Sequence, residues 1–351
     1  MEEQGGSGVR WLVANSPFFL GGYNPGAWPN SQSGFQLSSQ GFVWPSAAVR
    51  ALLNNRNIVV IGDSVSRGIY KDLVKLLHTN ELLSKKQLQD KLETSFLSER
   101  EKLVRMENVG NNSQCEEDRE YATDFHLLMY FYVTRCYGKR IKTILKQLEK
   151  EKPDVIIMNS MLWDISRYER NDPAAAEKSY LLNMRQLLTH LQQVLKPTAK
   201  FCWLATPPLN SHIAAGFMAK DVDHLFIQSL RVGISEVNYQ VAQMVGRMGF
   251  DFIDLHFFLR SLIAKYRMED GVHWDNVGHR HISELILTHI ARASAPQLLQ
   301  ALLQPAKAAL VGEPVADHLL AFTPKPEFAG DRLEDLRRIH SAITISSKPN
   351  N

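Results

Sequence analysis

The chain has 351 residues, 44% of them hydrophobic, which is ample for a sizeable core. Its 40 basic and 37 acidic residues leave a formal net charge of +3, too balanced to suggest a nucleic acid or an anionic membrane as partner. The three cysteines are widely separated and form no C-x-x-C pair, which argues against a disulfide scaffold or a cysteine-rich zinc site and fits a reducing compartment.

Residues 11–49 carry no charged side chain, and Trp11, Trp28 and Trp44 are scattered among Gly, Ser, Asn and Pro without a helical or strand period. The segment 1–46 is therefore expected to be an irregular or disordered leader. Its apolar stretch is broken by Asn15, Pro17 and two glycines and makes a poor signal peptide, and no run reaches the ~18 apolar residues of a membrane span. A cytoplasmic location is the resulting expectation.

From Val49 the pattern changes. Ile58-Val59-Val60-Ile61 is apolar on both faces and ends in Gly62-Asp63-Ser64, as a central parallel strand should. Runs of the same kind follow at 154–158, 201–205 and 250–254, with an aromatic-rich candidate at 126–134. Helical patterns alternate with them. One carries Met184, Leu187, Leu188, Leu191, Val194 and Leu195 on a single stripe, and others cover roughly 217–248 and 277–293. Alternating strands and helices predict a doubly wound parallel α/β sheet in one domain at 47–295. The remainder, 296–351, holds several scattered prolines and is expected to pack poorly. Ligands of such sheets bind at the carboxyl ends of the strands, so the residues that follow each run hold the chemistry.

Ser64 stands at such an end, where a strand-to-helix turn exposes its hydroxyl and the helix N-terminus favours negative charge. An ordinary helix N-cap is the competing reading. Asp270-Gly271-Val272-His273-Trp274 lies between the last strand and the last helix, with a spacing that lets a carboxylate orient an imidazole. Asp221 and His224 share that spacing but lie in a helical pattern away from any strand end. Ser66, two residues into its helix, is a poorer nucleophile candidate than Ser64. His273, His279 and His281 with Asp275 invite a metal reading, but His279 and His281 would point about 200° apart on a helix. Solvent-facing positions are expected for those two, and no metal or cofactor is expected. The first strand also lacks the G-x-G-x-x-G of a dinucleotide site.

These residues resemble the SGNH (GDSL-type) hydrolase superfamily and, more closely, its PC-esterase group. The likeness rests on Gly62-Asp63-Ser64-Val65-Ser66-Arg67 with Tyr70–Val74, on 158–168 around Trp163, on Asp254-Leu255-His256-Phe257 and on Asp270–Trp274. It implies a three-layer α/β/α fold and a triad of Ser64 as nucleophile, His273 as base and Asp270 as orienting acid. Asn159 and Gly110 become the oxyanion donors, although Gly110 also reads as a plain turn. Trp163, Trp274 and Arg67 become candidates for substrate contact. A structural pair between Arg167 and Asp164, pinning a loop, is the other reading of the block around Trp163. The implied activity is hydrolysis of a small-molecule or glycan-linked acyl ester. An O-acyltransferase with the same triad, or a non-catalytic binding protein that keeps the fold, are the alternatives.

Overall fold

A computed structural model describes residues 43–303, apart from 92, 98–99, 109–113, 169–171 and 214–223. Seven strands form one sheet: β1 (Arg56–Gly62), β2 (Glu101–Glu107), β3 (Glu116–Ala122), β4 (His126–Tyr132), β5 (Val155–Met158), β6 (Lys200–Leu204) and β7 (Asp251–Ile253). Their spatial order is β2-β3-β4-β1-β5-β6-β7. The five from β4 to β7 are mutually parallel, whereas β2–β3 and β3–β4 pair antiparallel. The sheet is thus mixed and dominated by its parallel part, rather than wholly parallel.

β1 lies in the middle because it can be buried on both sides. Ile58 and Val60 face one layer, Val59 and Ile61 the other, and none is more than 1% exposed. On the first side pack α1 (Ser46–Leu53), α2 (Ser64–His78) and, from further along the chain, α9 (Asn276–Ser294). The second side is covered by α4 (Lys139–Glu151), α5 (Pro173–Val194) and α6 (His224–Arg247). Helix, sheet and helix make the three layers of an SGNH-like α/β fold. The short helices α3 (Lys85–Gln89), α7 (Leu255–Leu259) and α8 (Ile263–Tyr266) lie in connections, and α10 (Pro296–Leu303) follows α9.

Two segments beyond 47–295 contribute to the core. Trp44 is 2% exposed, and its indole donates to Thr288 Oγ1 on α9. Leu298 and Leu299 of α10 are buried in the same apolar layer. The rest of the leader and the chain from 304 onward lie outside the described residues. Among those described, no helix is long and apolar enough to cross a membrane.

The antiparallel edge is held by charge rather than by oil. Arg119 of β3 is fully buried and pairs with Glu117 at 2.6 Å and with Glu101 of β2 at 3.1 Å. Removing one member of such a network would leave a buried charge uncompensated, which costs more than losing a surface pair.

Candidate active site

The site begins with the backbone at the end of β1. Gly62 has φ +154°, and a Cβ there would meet Ser66 Oγ at 2.1 Å and Asn159 O at 2.7 Å. Only glycine lets the chain turn there beside β5. Asp63 then caps α2, its carboxylate accepting the Val65 N–H at 2.9 Å. Burial raises the Asp63 carboxyl, against the Val65 N–H bond and the nearby His273 and Arg67, which lower it. Ser64 thus takes the first position of a 15-residue helix, half-buried and facing out of the strand end. Its N–H is one of the donors that a helix leaves without an internal partner.

Opposite Ser64 stands a small hairpin. Arg267 and Trp274 form an antiparallel bridge, Met268 N donates to His273 O at 2.8 Å, and Asp275 N donates to Tyr266 O at 2.9 Å. Gly271 at its tip has φ +77°, and a Cβ there would lie 2.1 Å from His212 O. The hairpin presents Asp270 and His273, and Asp275 at its end caps α9 by accepting the Gly278 N–H.

The three side chains meet. Ser64 Oγ is 2.6 Å from His273 Nε2, and His273 Nδ1 is 2.6 Å from Asp270 Oδ2. The other Asp270 oxygen accepts the N–H groups of Val272 and His273, each at 2.9 Å. Partial burial pushes Asp270 upward, but the His273 side chain and these two N–H groups outweigh it and hold the carboxyl well below the usual range. An ionised carboxylate on Nδ1 leaves Nε2 facing a hydroxyl, an arrangement able to activate an oxygen nucleophile.

The remaining sequence candidates fall in different places. Asn159 follows β5 beside Gly62 and is buried. Its Nδ2 donates to Leu204 O at 2.8 Å, with Thr206 Oγ1 at 3.5 Å. Gly110 lies outside the described residues. Trp163 is 4% exposed with the Arg167 guanidinium stacked over it at 4.2 Å. Trp274 is fully buried beneath Arg267, whose guanidinium carbon is 3.9 Å from the ring centre. Arg67 is buried, donating to Glu117 at 2.7 Å across to β3. Burial alone would lower its pKa, but the Glu117 carboxylate holds it above its ordinary value.

Two readings are corrected. Arg167 does not pair with Asp164. That carboxyl instead accepts Ser160 Oγ at 2.5 Å and the Cys136 N–H at 3.2 Å, and burial lifts it to about 7. His279 and His281 are not solvent-facing, being 2% and 6% exposed. Helix α9 buries a wide face, and both rings are carried into it. His279 packs on Gly68 of α2, and His281 lies 5.4 Å from the Tyr266 ring.

Sequence reasoning missed Arg267. Burial lowers its pKa to about 9, against the favourable charge of Asp270, and its NH1 donates to Val272 O inside the hairpin. Only its place seven residues before Trp274 hinted that it closes the turn.

A model of GDSL-like lipases and acylhydrolases matches residues 58–286, which include Ser64, Asp270 and His273. The chain belongs to that family. It is 37% identical over 259 residues to PC-esterase domain-containing protein 1A of Mus musculus, covering 72% of this chain and 56% of the relative. To PC-esterase domain-containing protein 1B of Rattus norvegicus it is 36% identical over 262 residues, covering 72% and 59%. The chain therefore spans little more than half the length of these relatives. A solved GDSL-like lipase of Bacteroides thetaiotaomicron superimposes with a TM-score of 0.41 at 11% identity, over 68% of this chain and 89% of that one.

Proposed function

We propose that this GDSL-like acylhydrolase domain cleaves acyl esters through a covalent intermediate on Ser64. The observation that carries this reading is the pair of 2.6 Å contacts linking Ser64 Oγ, His273 and Asp270. In the proposed reaction, His273 Nε2 takes the proton as Ser64 Oγ attacks the ester carbonyl. Asp270 keeps the other imidazole nitrogen protonated and stabilises the cation that forms. The Ser64 N–H at the start of α2 receives the developing oxyanion, aided by the positive end of the helix. Asn159 supplies a second donor by exchanging its long contact with Thr206 Oγ1 for that oxygen. His273 then returns the proton to the leaving alcohol, and a water activated by the same imidazole releases the acid.

The substrate class proposed is a small-molecule or glycan-linked O-acyl ester, in keeping with the esterase names of the curated relatives. Buried Arg67 already faces Glu117, so it serves better as a support for α2 than as an anion receptor.

The test is labelling by a fluorophosphonate probe together with hydrolysis of p-nitrophenyl acetate by the full chain. Labelling and turnover should vanish in Ser64→Ala and fall steeply in His273→Ala. Folded wild-type protein that neither labels nor turns over between pH 6 and 9 overturns the proposal.

A further inference from the structure

Away from the serine, three side chains of metal-ligand type converge between the sheet and α9. Cys202 and Asp251 are direct register partners on β6 and β7. Paired residues on neighbouring strands lie about 4.8 Å apart and project to the same face. Phe201 and Phe252, the next residues on those strands, belong to the layer under α4, α5 and α6, while Cys202 lies in the layer under α9. His289 comes down from α9 to meet the pair, its Nε2 3.1 Å from Asp251 Oδ2. That nitrogen is buried, and the contact lacks hydrogen-bond geometry, so Nε2 has no hydrogen-bond partner. One donor atom from each of the three lies within 4.8 Å of the other two.

These separations suit one small ion. With ~2.0–2.1 Å to nitrogen and oxygen and ~2.3 Å to sulfur, tetrahedral coordination sets N and O about 3.3 Å apart and S about 3.5 Å from each. The imidazole and carboxylate already stand at that spacing. Cys202 Sγ would close any remaining gap of about 1 Å by a small side-chain rotation. The cysteine is fully buried, while the Asp251 and His289 side chains are 22% and 16% exposed. Solvent therefore reaches the Asp251 side of the cluster, from which a water can fill a fourth position. Lys200, close enough to Cys202 to be felt electrostatically, opposes a cation, and Asp251 favours one.

We infer that Cys202, Asp251 and His289 form a site for a zinc-class divalent ion that ties α9 to the β6–β7 edge of the sheet. Thiolate with imidazole selects zinc over magnesium or calcium, which prefer oxygen alone. On binding, the thiol proton leaves to solvent and the sulfur takes the metal. The site lies apart from the ester chemistry, since His289 is 13 residues, or about 20 Å, along α9 from Asn276. Its role is to hold α9, whose N-terminus follows the His273 hairpin.

Cobalt(II) is the probe. The full chain, stripped with chelator, should bind one equivalent of Co2+ with a sulfur-to-cobalt charge-transfer band and intense visible bands of tetrahedral geometry, both displaced by Zn2+. Cys202→Ser should lose the charge-transfer band, and His289→Asn and Asp251→Asn should weaken binding at least tenfold. His289 is partly exposed, so its variant tests the site even if Cys202→Ser folds poorly. Zn2+ should raise the melting temperature of wild type and not of His289→Asn. A pale octahedral spectrum without charge transfer, a band that survives in Cys202→Ser, or wild-type affinity in folded His289→Asn overturns the assignment.

Discussion

The imidazole of His279 on α9 occupies the space where a side chain at Gly68 of α2 would begin. A Cβ at Gly68 would lie 2.2 Å from His279 Cε1 and 2.4 Å from Nε2. Burial, with the His273 ring and the Arg267 cation nearby, drives the His279 pKa down to about 3, so the ring is a neutral packing group. It fixes the distance between the helix that starts at Ser64 and the helix that follows His273.

Gly68→Ala should accordingly destabilise the protein by about 1–3 kcal/mol, the usual cost of forcing a methyl into a packed core. A urea-denaturation cycle with His279→Ala reads the contact directly. The alanine at 68 should cost much less when the ring is gone, and additivity of the two changes within about 0.5 kcal/mol would show that they do not touch.

Asp270→Asn should leave the fold in place and lower kcat/KM by roughly 10³–10⁴, because an amide no longer holds the His273 tautomer or balances its charge. The carboxyl sits below its ordinary pKa in the folded state, so its contribution to stability is complete above about pH 4 and is lost only as pH falls further. Between pH 5 and 8 the carboxylate hence adds no titration of its own to the stability curve. Steady-state rates and urea midpoints across that range measure both, and an asparagine variant with near wild-type turnover would remove Asp270 from the mechanism.

Asn159→Ala separates a donor from a structural tie. As an oxyanion donor, Asn159 should be worth about 10²–10³ in kcat with little change in KM. As a link between the ends of β5 and β6, through Leu204 O, it should affect stability and leave kcat intact. Turnover by an alanine variant that is folded but less stable, at undiminished kcat, would assign the residue to the second role.

The central strands were legible because they are buried on both faces. Ile58–Ile61 is an uninterrupted β-branched run, and the positional rule for parallel sheets then marked Ser64 and His273. The edge strands were not. Glu101–Glu107 and Glu116–Ala122 lack an uninterrupted apolar run, and a hydropathy pattern does not reveal that Arg119, Glu117 and Glu101 neutralise one another in the interior. His279 and His281 misled for a related cause: on a helix that buries a wide face, neutral imidazoles serve as packing groups. Trp44 lacked any periodic neighbour to tie it to α9. Its partner, Glu284, lies 240 residues away.

That contact carries a pH dependence. Glu284 Oε1 accepts the N–H groups of Val43 and Trp44. Burial, only partly offset by these bonds and by Arg280, lifts the carboxyl to about 7. A folded-state pKa above the unfolded value of 4.5 means that the native protein binds the extra proton between them. The stabilisation is therefore complete below about pH 4.5 and is lost as pH rises through 7, with a slope of up to ~1.4 kcal/mol per pH unit. Asp164, also lifted to about 7, acts in the same direction, whereas His279 and His281, depressed to about 3 and about 4, act in the opposite one below pH 6.5. The difference between wild type and Glu284→Gln isolates the one group, because glutamine keeps an oxygen for the two N–H donors and does not titrate. Stability measured by urea at pH 5, 6 and 7 should fall more steeply with pH in wild type than in the variant, and parallel curves would show that Glu284 is ionised throughout.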